Sequence, residues 1–154
     1  MEDKKCGIYR IISKKEGDTD GGLRTKGTYK MDNEAYPLVT YITVVYNRVN
    51  TLMACMKSVW EQDYPNIEYI IIDGNSTDGT KKLIEENADK IDYYISQPDT
   101  GIYNAMNKGI ILAAGRLICF MNSDDQCMPG AAKKIVQLYR QTGADIICGS
   151  RELT

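Results

Sequence analysis

Blocks of apolar residues alternate with polar segments along the chain, and they predict strands and helices in turn. Residues 38–46 are rich in β-branched side chains and nearly all apolar, which is typical of a strand buried on both faces. Ile102, Met106 and Ile110 instead repeat every four residues, the spacing of one helix face, and predict a helix over 102–114. The same reasoning predicts further strands at 67–72, 91–95, 117–121 and 145–148, and further helices at 50–62, 78–87 and about 129–140.

This regular alternation predicts an α/β fold, a mostly parallel doubly wound sheet with helices on both faces. Ligands of such sheets bind beyond the carboxyl ends of the strands, so the residues that follow each strand are the candidate site. Those residues are Tyr46-Asn47-Arg48, Asp73-Gly74-Asn75-Ser76, Gln97-Pro98-Asp99 and Asn122-Ser123-Asp124-Asp125.

The first 36 residues differ from the rest of the chain. They are charged, contain several glycines and have one short apolar run at 8–12, so we expect an extended or partly disordered arm over 1–36. A chain of 154 residues suffices for one domain with a core and is too short for two. We therefore expect a single domain over 37–154.

Composition excludes several kinds of chemistry. The chain has no histidine, which removes Ser-His-Asp and Cys-His nucleophile systems and histidine-ligated zinc. A net charge of -2 also argues against nucleic acid as a partner, because neutralising phosphates requires a basic face. Any reaction must rely on carboxylates, amides, hydroxyls, lysine, arginine or a metal.

The sequence also predicts a location. Its longest apolar runs, near 38–46 and 109–114, are well short of the about 20 residues that span a bilayer, and the amino terminus lacks a signal-peptide core. Five cysteines without a CxxC pair indicate reduced, mostly buried thiols. We expect a cytoplasmic protein, with peripheral attachment at the inner membrane face as an alternative.

Carboxylates cluster after the predicted strand at 117–121, where Asn122, Asp124 and Asp125 follow apolar residues. Adjacent carboxylates repel each other unless a cation or a helix terminus neutralises them. Mg²⁺ and Mn²⁺ prefer oxygen ligands and typically take one or two protein carboxylates together with substrate phosphates. The cluster therefore predicts a metal site, with a solvated turn before the next helix as the alternative.

Two more polar segments follow predicted strands. Asp73 ends one strand, and its carboxylate could accept the imide N–H of uracil or the amine edge of guanine; the alternative is a turn in which Thr77 or Asp78 caps the next helix. Capping explains Asp78 better, because a carboxylate is favourable in the first turn of a helix. Lys108, on the polar face of the helix at 102–114, could contact a diphosphate or be an ordinary surface lysine.

Taken in order, the segments ITVVYNR, IEYIIIDGNSTDGT, QPDTGIYNAMNKGI and GRLICFMNSDD resemble the family 2 glycosyltransferases, particularly the bacterial exopolysaccharide and colanic-acid type. The resemblance covers about residues 38–150. It implies a GT-A fold of the nucleotide-diphospho-sugar transferase kind, a nucleoside-diphosphate sugar donor, Mn²⁺ or Mg²⁺, and inversion at the anomeric carbon. A UDP-sugar is the expected donor, with a GDP-sugar as the alternative. The expected acceptor is a saccharide or a lipid-linked saccharide in cell-surface polysaccharide synthesis.

The resemblance also implies residue roles. Asp73 matches the aspartate that reads the base, and Gly74 stands where a second acid often follows. Asn122-Ser123-Asp124 occupies the DxD position, and Asp124 is the expected metal ligand with Asp125 as the second metal residue. Asn122 replaces the more common first aspartate and is expected to face the ribose or the metal shell. The remaining donor-site positions border the nucleoside or continue along the donor pocket: Tyr46, Asn47, Arg48, Asp99, Asn107 and Lys108.

The catalytic base of the family lies well downstream of the DxD position, in the half that builds the acceptor site. The sequence ends at Thr154, so we expect a C-terminally truncated domain whose base lies beyond that residue, and we assign neither Asp145 nor Glu152 to the role. A catalytically incomplete nucleotide-binding module is the alternative function. Uncovered apolar surface would favour self-association into a homo-oligomer.

Other phosphate-binding α/β proteins fit the sequence less well. A phosphoacceptor receiver domain needs an acidic pair after its first strand, where this chain has Tyr46-Asn47-Arg48. A dinucleotide-binding dehydrogenase needs GxGxxG after that strand, and a sugar-nucleotide nucleotidyltransferase needs a glycine-rich basic loop near its start; neither pattern is present.

Overall fold

Four parallel strands form the centre of the molecule. The computed structural model describes residues 12–149, and in this part of the chain the strands are β1 (Thr19–Gly21), β2 (Val39–Val45), β3 (Ile67–Asp73), β4 (Tyr93–Ser96) and β5 (Leu117–Asn122). Their order across the sheet is β1-β4-β3-β2-β5, with β2 to β5 parallel and β1 antiparallel to β4. The helices are α1 (Val49–Trp60), α2 (Thr80–Glu86), α3 (Ile102–Leu112) and α4 (Ala131–Thr142), with short 3₁₀ turns at Arg24–Lys26 and Ala88–Lys90.

Alternate residues of the central strands point into two apolar layers. Tyr41 and Ile71 lie in the layer that α1, α2 and α4 cover, whereas Ile42 and Ile70 lie in the layer that α3 covers. All seven residues of β2 are buried, as its continuous apolar pattern predicts. The predicted fold, a mostly parallel sheet with helices on both faces, is confirmed.

Helix α3 lies unusually close to the sheet, because Gly109 faces β2. A Cβ added at Gly109 would lie 2.4 Å from Cγ2 of Ile42, so even an alanine would push the helix away. This close contact holds the carboxyl-terminal half of α3 against β2.

Two parts of the chain differ from the sequence prediction. The strand predicted at 145–148 is wrong: these residues form no strand, and Ile146 is 81% exposed. A strand is stable only when a neighbour pairs with it, and apolar residues alone do not supply that neighbour. The predicted arm contributes strand β1, whose Asp20 pairs with Ile95, while its residues 1–11 lie outside the described residues.

A buried ion pair ties the arm to the domain. The Arg24 guanidinium donates to the fully buried Glu68 carboxylate on β3 and, over 2.7 Å, to the Leu112 carbonyl at the end of α3. The other Glu68 oxygen accepts from the Thr40 hydroxyl at 2.6 Å and from the Ala114 N–H at 2.9 Å. Because both Glu68 oxygens and both terminal nitrogens of Arg24 have partners, the pair holds the arm, the sheet and α3 together.

None of the helices within residues 12–149 has the length and apolar character needed to cross a bilayer.

Candidate functional site

The carboxyl ends of the four parallel strands meet at one edge of the sheet. In register, Asp73 of β3 lies between Val45 of β2 and Ser96 of β4, and Asn122 of β5 lies beside Val44. Neighbouring strands are about 4.8 Å apart, so the ends of β4 and β5 are separated by roughly 14 Å across this edge. The predicted site residues therefore share one surface but divide into two groups along it.

Asp73 lies at the centre of this edge and is 0% exposed. One carboxylate oxygen accepts from the Ser76 hydroxyl at 2.5 Å, and the other accepts from the Ser76 N–H at 3.0 Å and the Ser96 hydroxyl at 2.6 Å. Both oxygens are thus engaged by donors of the protein itself, as buried carboxylates require. Asp73 joins the end of β3 to the end of β4 and to the loop that follows β3.

The loop after β2 is cross-linked to the loop after β3. Asn47 has a φ of 50°, in the left-handed region that asparagine tolerates better than most residues. Its N–H donates to the Ser76 hydroxyl at 2.8 Å, and its side-chain oxygen accepts from the Thr77 N–H at 2.8 Å. Tyr46 is 61% exposed at the rim, and the exposed Arg48 donates to the carbonyl of Asn47.

Asp78 has the capping role that the sequence favours. Its carboxylate accepts the N–H of Thr80 at 3.0 Å and its hydroxyl at 2.6 Å, and it also accepts the N–H of Val49 at 3.1 Å. The Thr80 hydroxyl and these N–H groups hold the pKa of Asp78 below its ordinary value, because they stabilise the ionised form. One carboxylate therefore fixes the first residues of both α1 and α2.

Asp99 lies directly over Gly74. A Cβ added at Gly74 would be 2.8 Å from Oδ2 of Asp99 and 3.3 Å from Cδ2 of Tyr46. The other oxygen of Asp99 accepts from the Gly101 N–H at 2.9 Å, at the start of α3. The ends of β2, β3 and β4 therefore bring an aromatic ring, a glycine and a partly exposed carboxylate together.

Lys108 is fixed beside the same loop, where its ammonium donates to the Pro98 carbonyl at 3.0 Å. Burial lowers the pKa of Lys108, and the negative charges of Asp99 and Asp18 act in the opposite direction. Asn107 is exposed one residue earlier on α3. Lysine and carboxylate therefore meet at the end of β4.

Sequence reasoning missed the part that the arm has in this site. Asp18 accepts from the buried amide of Gln97 at 2.9 Å, and the N–H of Lys15 and this amide lower the pKa of Asp18. The Gln97 N–H donates in turn to the Asp73 carbonyl at 3.0 Å. No sequence signal points to Asp18, because it lies 79 residues from Gln97 in a segment without periodicity.

The acidic residues that follow β5 are more exposed than Asp73 at the end of β3. Asp124 is exposed, Asp125 is half-buried, and the Asn122 side chain donates to Asp125 over 3.0 Å. The Asp125 N–H also donates to the Asn122 carbonyl at 3.0 Å, so residues 122–125 form a turn. The turn that the sequence offered as an alternative to a metal site is therefore present, and it carries the predicted cluster of carboxylates. The buried Cys55 thiol donates to that carbonyl, and burial, together with the nearby Asp125 and Asp124 charges, raises its pKa.

The groups at the end of β5 supply some, but not all, of the ligands that a hard divalent cation needs. Within residues 12–149, no group of three or more histidine, cysteine or acidic side chains encloses a position for a metal. Asp124 offers an exposed carboxylate and Asp125 a half-buried one. Oxygen atoms of this kind suit Mg²⁺ or Mn²⁺ that completes its shell with phosphate and water. The protein alone would therefore hold such an ion weakly.

A cleft of about 280 Å³ lies elsewhere, lined by Trp60, Tyr64 and Lys90 among others, near the amino ends of β3 and β4. It is at the opposite end of the strands from the polar groups described above. Since ligands of open α/β sheets bind at the carboxyl ends, topology and chemistry select the edge around Asp73 and not this cleft.

Known glycosyltransferases resemble the chain in sequence. Glycosyltransferase AglE of Haloferax volcanii is 30% identical over 125 residues, which cover 77% of this chain and 40% of that protein. A protein of Campylobacter jejuni, GalNAc(5)-diNAcBac-PP-undecaprenol beta-1,3-glucosyltransferase, is 30% identical over 105 residues, covering 66% of this chain and 34% of its own. The chain thus spans well under half the length of these relatives.

Solved structures share the fold. TarS of S. aureus in complex with UDP-GlcNAc superimposes with a TM-score of 0.64 at 22% identity, over 70% of this chain and 32% of that one. Mannosyltransferase PcManGT of Pyrobaculum calidifontis, in complex with GDP-Man and Mn2+, superimposes with a TM-score of 0.59 at 23% identity, over 75% and 37%. Both confirm the GT-A architecture that the sequence predicts.

The family profile covers most of the domain. The model of the family described as Glycosyl transferase family 2 matches residues 40–154. This range includes β2 without its first residue, all of β3 to β5, and every polar strand end described above. The motifs at those strand ends, the sheet topology and the relatives all agree with this match. The chain therefore belongs to glycosyl transferase family 2.

Proposed function

We propose that this chain binds a nucleoside-diphosphate sugar along the carboxyl edge of the sheet, together with Mn²⁺ or Mg²⁺, as the donor half of an inverting glycosyltransferase. The observation that carries the proposal is the division of that edge into two poles. Tyr46, Asp73 and Asp99 form one pole at the ends of β2 to β4, and Asp124 and Asp125 form the other at the end of β5.

The two poles suit the two ends of such a donor. Aromatic and N–H-accepting groups at the first pole match a nucleoside base, while carboxylates at the second match a cation that bridges to the diphosphate. Lys108 adds a positive charge on α3, near the first pole. The structures of S. aureus TarS with UDP-GlcNAc and of PcManGT with GDP-Man and Mn2+ support this class of ligand. A UDP-sugar is the proposed donor, with a GDP-sugar as the alternative.

Asp124 and Asp125 would hold the metal, with the Asn122 amide beside them. When bound, a divalent ion supplies positive charge against the diphosphate leaving group. The protein's own part is to orient the donor between the two poles. An acceptor hydroxyl needs a carboxylate base for inversion, and no residue within 12–149 is assigned to that role.

The undecaprenol-linked substrate in the name of the C. jejuni relative supports a lipid-linked saccharide as acceptor. On this basis we extend the proposal to cell-surface polysaccharide synthesis.

Isothermal titration calorimetry with UDP and GDP, each with and without Mn²⁺, tests the proposal. We expect one nucleotide to bind, Mn²⁺ to tighten its binding about tenfold or more, and the change Asp124→Ala to abolish that gain. Asp89→Ala is the matched control, since Asp89 is an exposed aspartate near the amino end of β4. Failure of wild type to bind either nucleotide would overturn the proposal, and binding that ignores Mn²⁺ would overturn its metal site.

A turnover assay then separates a transferase from a module that only binds. The same protein is incubated with the UDP-sugar or GDP-sugar of the nucleotide that binds, and release of free nucleotide is measured. Release above the Asp124→Ala background supports catalysis by this chain, while tight binding with no release supports the catalytically incomplete module.

A further inference from the structure

Two aspartates at the strand ends, Asp73 and Asp99, could accept a hydrogen bond from a bound base. Family resemblance places that role on Asp73, yet Asp73 is 0% exposed and accepts three hydrogen bonds from Ser76 and Ser96. A base could reach it only after those serines moved and left buried hydroxyl groups unpaired, which is costly. Asp73 is therefore a positioning residue for the two loops that it joins.

Asp99 has the accessibility that Asp73 lacks. Its Oδ1 accepts from the Gly101 N–H at 2.9 Å, and within residues 12–149 this is the only hydrogen bond of its side chain. Its Oδ2 lies over Gly74 and beside the ring of Tyr46, at the rim of the sheet. A carboxylate oriented on one oxygen and open on the other can accept an N–H from a ligand.

Gly74 is what makes room for this arrangement. A Cβ at position 74 would come within 2.8 Å of Oδ2 of Asp99, a contact closer than real Cβ atoms make. Any side chain at that position would therefore displace the Asp99 carboxylate. Gly74 and Asp99 form a complementary pair across the ends of β3 and β4.

The loop that carries Asp99 is braced on both sides. The Lys108 ammonium donates to the Pro98 carbonyl at 3.0 Å, and the amide of Gln97 donates to Asp18 of the arm at 2.9 Å. Because neighbouring residues are fixed in this way, the position of the Asp99 carboxylate is set before a ligand arrives. Such preorganisation favours discrimination between ligands.

We propose that Asp99, and not Asp73, accepts the N–H edge of the nucleotide base, with Gly74 as the gap that admits its carboxylate and the Tyr46 ring alongside. This inference rests on the proposed nucleotide-binding function. The acceptor recognises the imide N–H of uracil or the N1–H and 2-amino group of guanine. The pair Gly74 and Asp99 therefore determines which bases this chain binds.

The test measures dissociation constants by calorimetry in the presence of Mn²⁺, for UDP and its N3-methyl form and for GDP and its N1-methyl form. We expect Asp99→Asn to weaken the better-binding nucleotide about 10- to 100-fold, the usual range for a hydrogen bond to a charged group. Methylation of the base should weaken wild type by a similar factor and should leave Asp99→Asn affected less than about twofold, because both changes remove the same contact.

A double-mutant cycle between Gly74 and Asp99 tests the space that Gly74 leaves for the Asp99 carboxylate. Gly74→Ala should weaken nucleotide binding in wild type by displacing Asp99, but should cost little more in an Asp99→Ala background, where the space is vacant. Asp89→Asn is the control and should bind like wild type. Thermal melting of each variant confirms that it is folded.

The outcomes separate this inference from the proposed function. If wild type binds UDP or GDP but Asp99→Asn binds equally well, the assignment of Asp99 is wrong and the proposed function stands. If methylation weakens wild type and Asp99→Asn by the same factor, the base is read elsewhere and the assignment is again wrong. If wild type binds neither nucleotide, both fail together.

Discussion

The ends of β3 and β5 both carry aspartates at the same edge of the sheet, yet the two sites differ in almost every physical respect. Asp73 is fully buried and its oxygens accept from two serines, whereas Asp124 is exposed at the rim. A buried carboxylate must be satisfied by the protein, and it then has little capacity left for a ligand. An exposed one keeps its capacity and costs little in stability.

This comparison separates residues whose carboxylates the protein itself uses from residues whose carboxylates remain available to a ligand. Asp73 and Asp78 use their oxygens to fix loops and helix starts. Oδ2 of Asp99 instead lies over Gly74, and Asp124 is exposed after the end of β5. The four aspartates look alike in the sequence, and their surroundings alone divide them.

The largest expected effect is on stability. Asp73→Ala should lower the free energy of unfolding by about 3 kcal/mol, because it leaves buried serine donors without an acceptor and removes hydrogen bonds to a charged group. Urea denaturation measures this change. Asp124→Ala is the matched variant and should stay within about 0.5 kcal/mol of wild type. Equal stability of the two variants would break the comparison.

The next largest effect is on Mn²⁺-dependent nucleotide binding at the pole formed by Asp124 and Asp125. Asp124→Ala should lose the tightening of nucleotide binding by Mn²⁺, about tenfold or 1.4 kcal/mol, since one of the few protein oxygens for the ion is removed. Titration of the nucleotide at several Mn²⁺ concentrations measures it. Asp125→Ala should show a smaller loss if its carboxylate mainly supports the cluster.

A smaller effect sharpens the role of Asp73. Ser96→Ala should lower the free energy of unfolding by about 1 kcal/mol, because it removes one of the three donors to that carboxylate. Comparison of its urea midpoint with wild type gives the value. Ser13→Ala is the control and should leave the midpoint unchanged, because Ser13 is exposed and is not among the donors to Asp73.

The smallest effect concerns Asp78 and pH. Its pKa is lowered in the folded state, so the folded form binds fewer protons than the unfolded form below the ordinary value of 3.8. Stability from this carboxylate is therefore present above that pH and is lost as the pH falls through the lowered pKa. Asp78→Asn should flatten the fall in stability below about pH 4 in acid titrations followed by circular dichroism. An unchanged acid profile would show that the capping contacts do not favour the ionised form.

Much of the fold follows from the sequence, because apolar runs mark buried parallel strands. The predicted strands at 38–46 and 117–121 match β2 (Val39–Val45) and β5 (Leu117–Asn122) within one residue at each end. Strand β1 was beyond such reasoning, since Thr19–Gly21 has no apolar alternation and exists only by pairing with β4. The strand predicted at 145–148 failed for the converse reason, as an apolar run without a paired neighbour.

The sequence predicted where the candidate site residues lie, but not which aspartates are buried and which are accessible. Strand ends located Asp73, Asp99 and Asp124 in the sequence, because parallel strands bring their carboxyl ends together. The Asp73 carboxylate is satisfied in part by Ser96, which is 23 residues away, and the Asp99 carboxylate occupies space that a side chain at Gly74 would fill. Such contacts between distant segments leave no local pattern.

The most direct test of the two-pole account is a crystal structure with the better-binding nucleotide and Mn²⁺, using the anomalous scattering of manganese. We predict an anomalous peak in contact with the Asp124 carboxylate at the end of β5, and a base beside Tyr46 and Asp99 at the ends of β2 and β4. A manganese peak away from Asp124, or a base that contacts Asp73 after the serines have moved, would contradict the account.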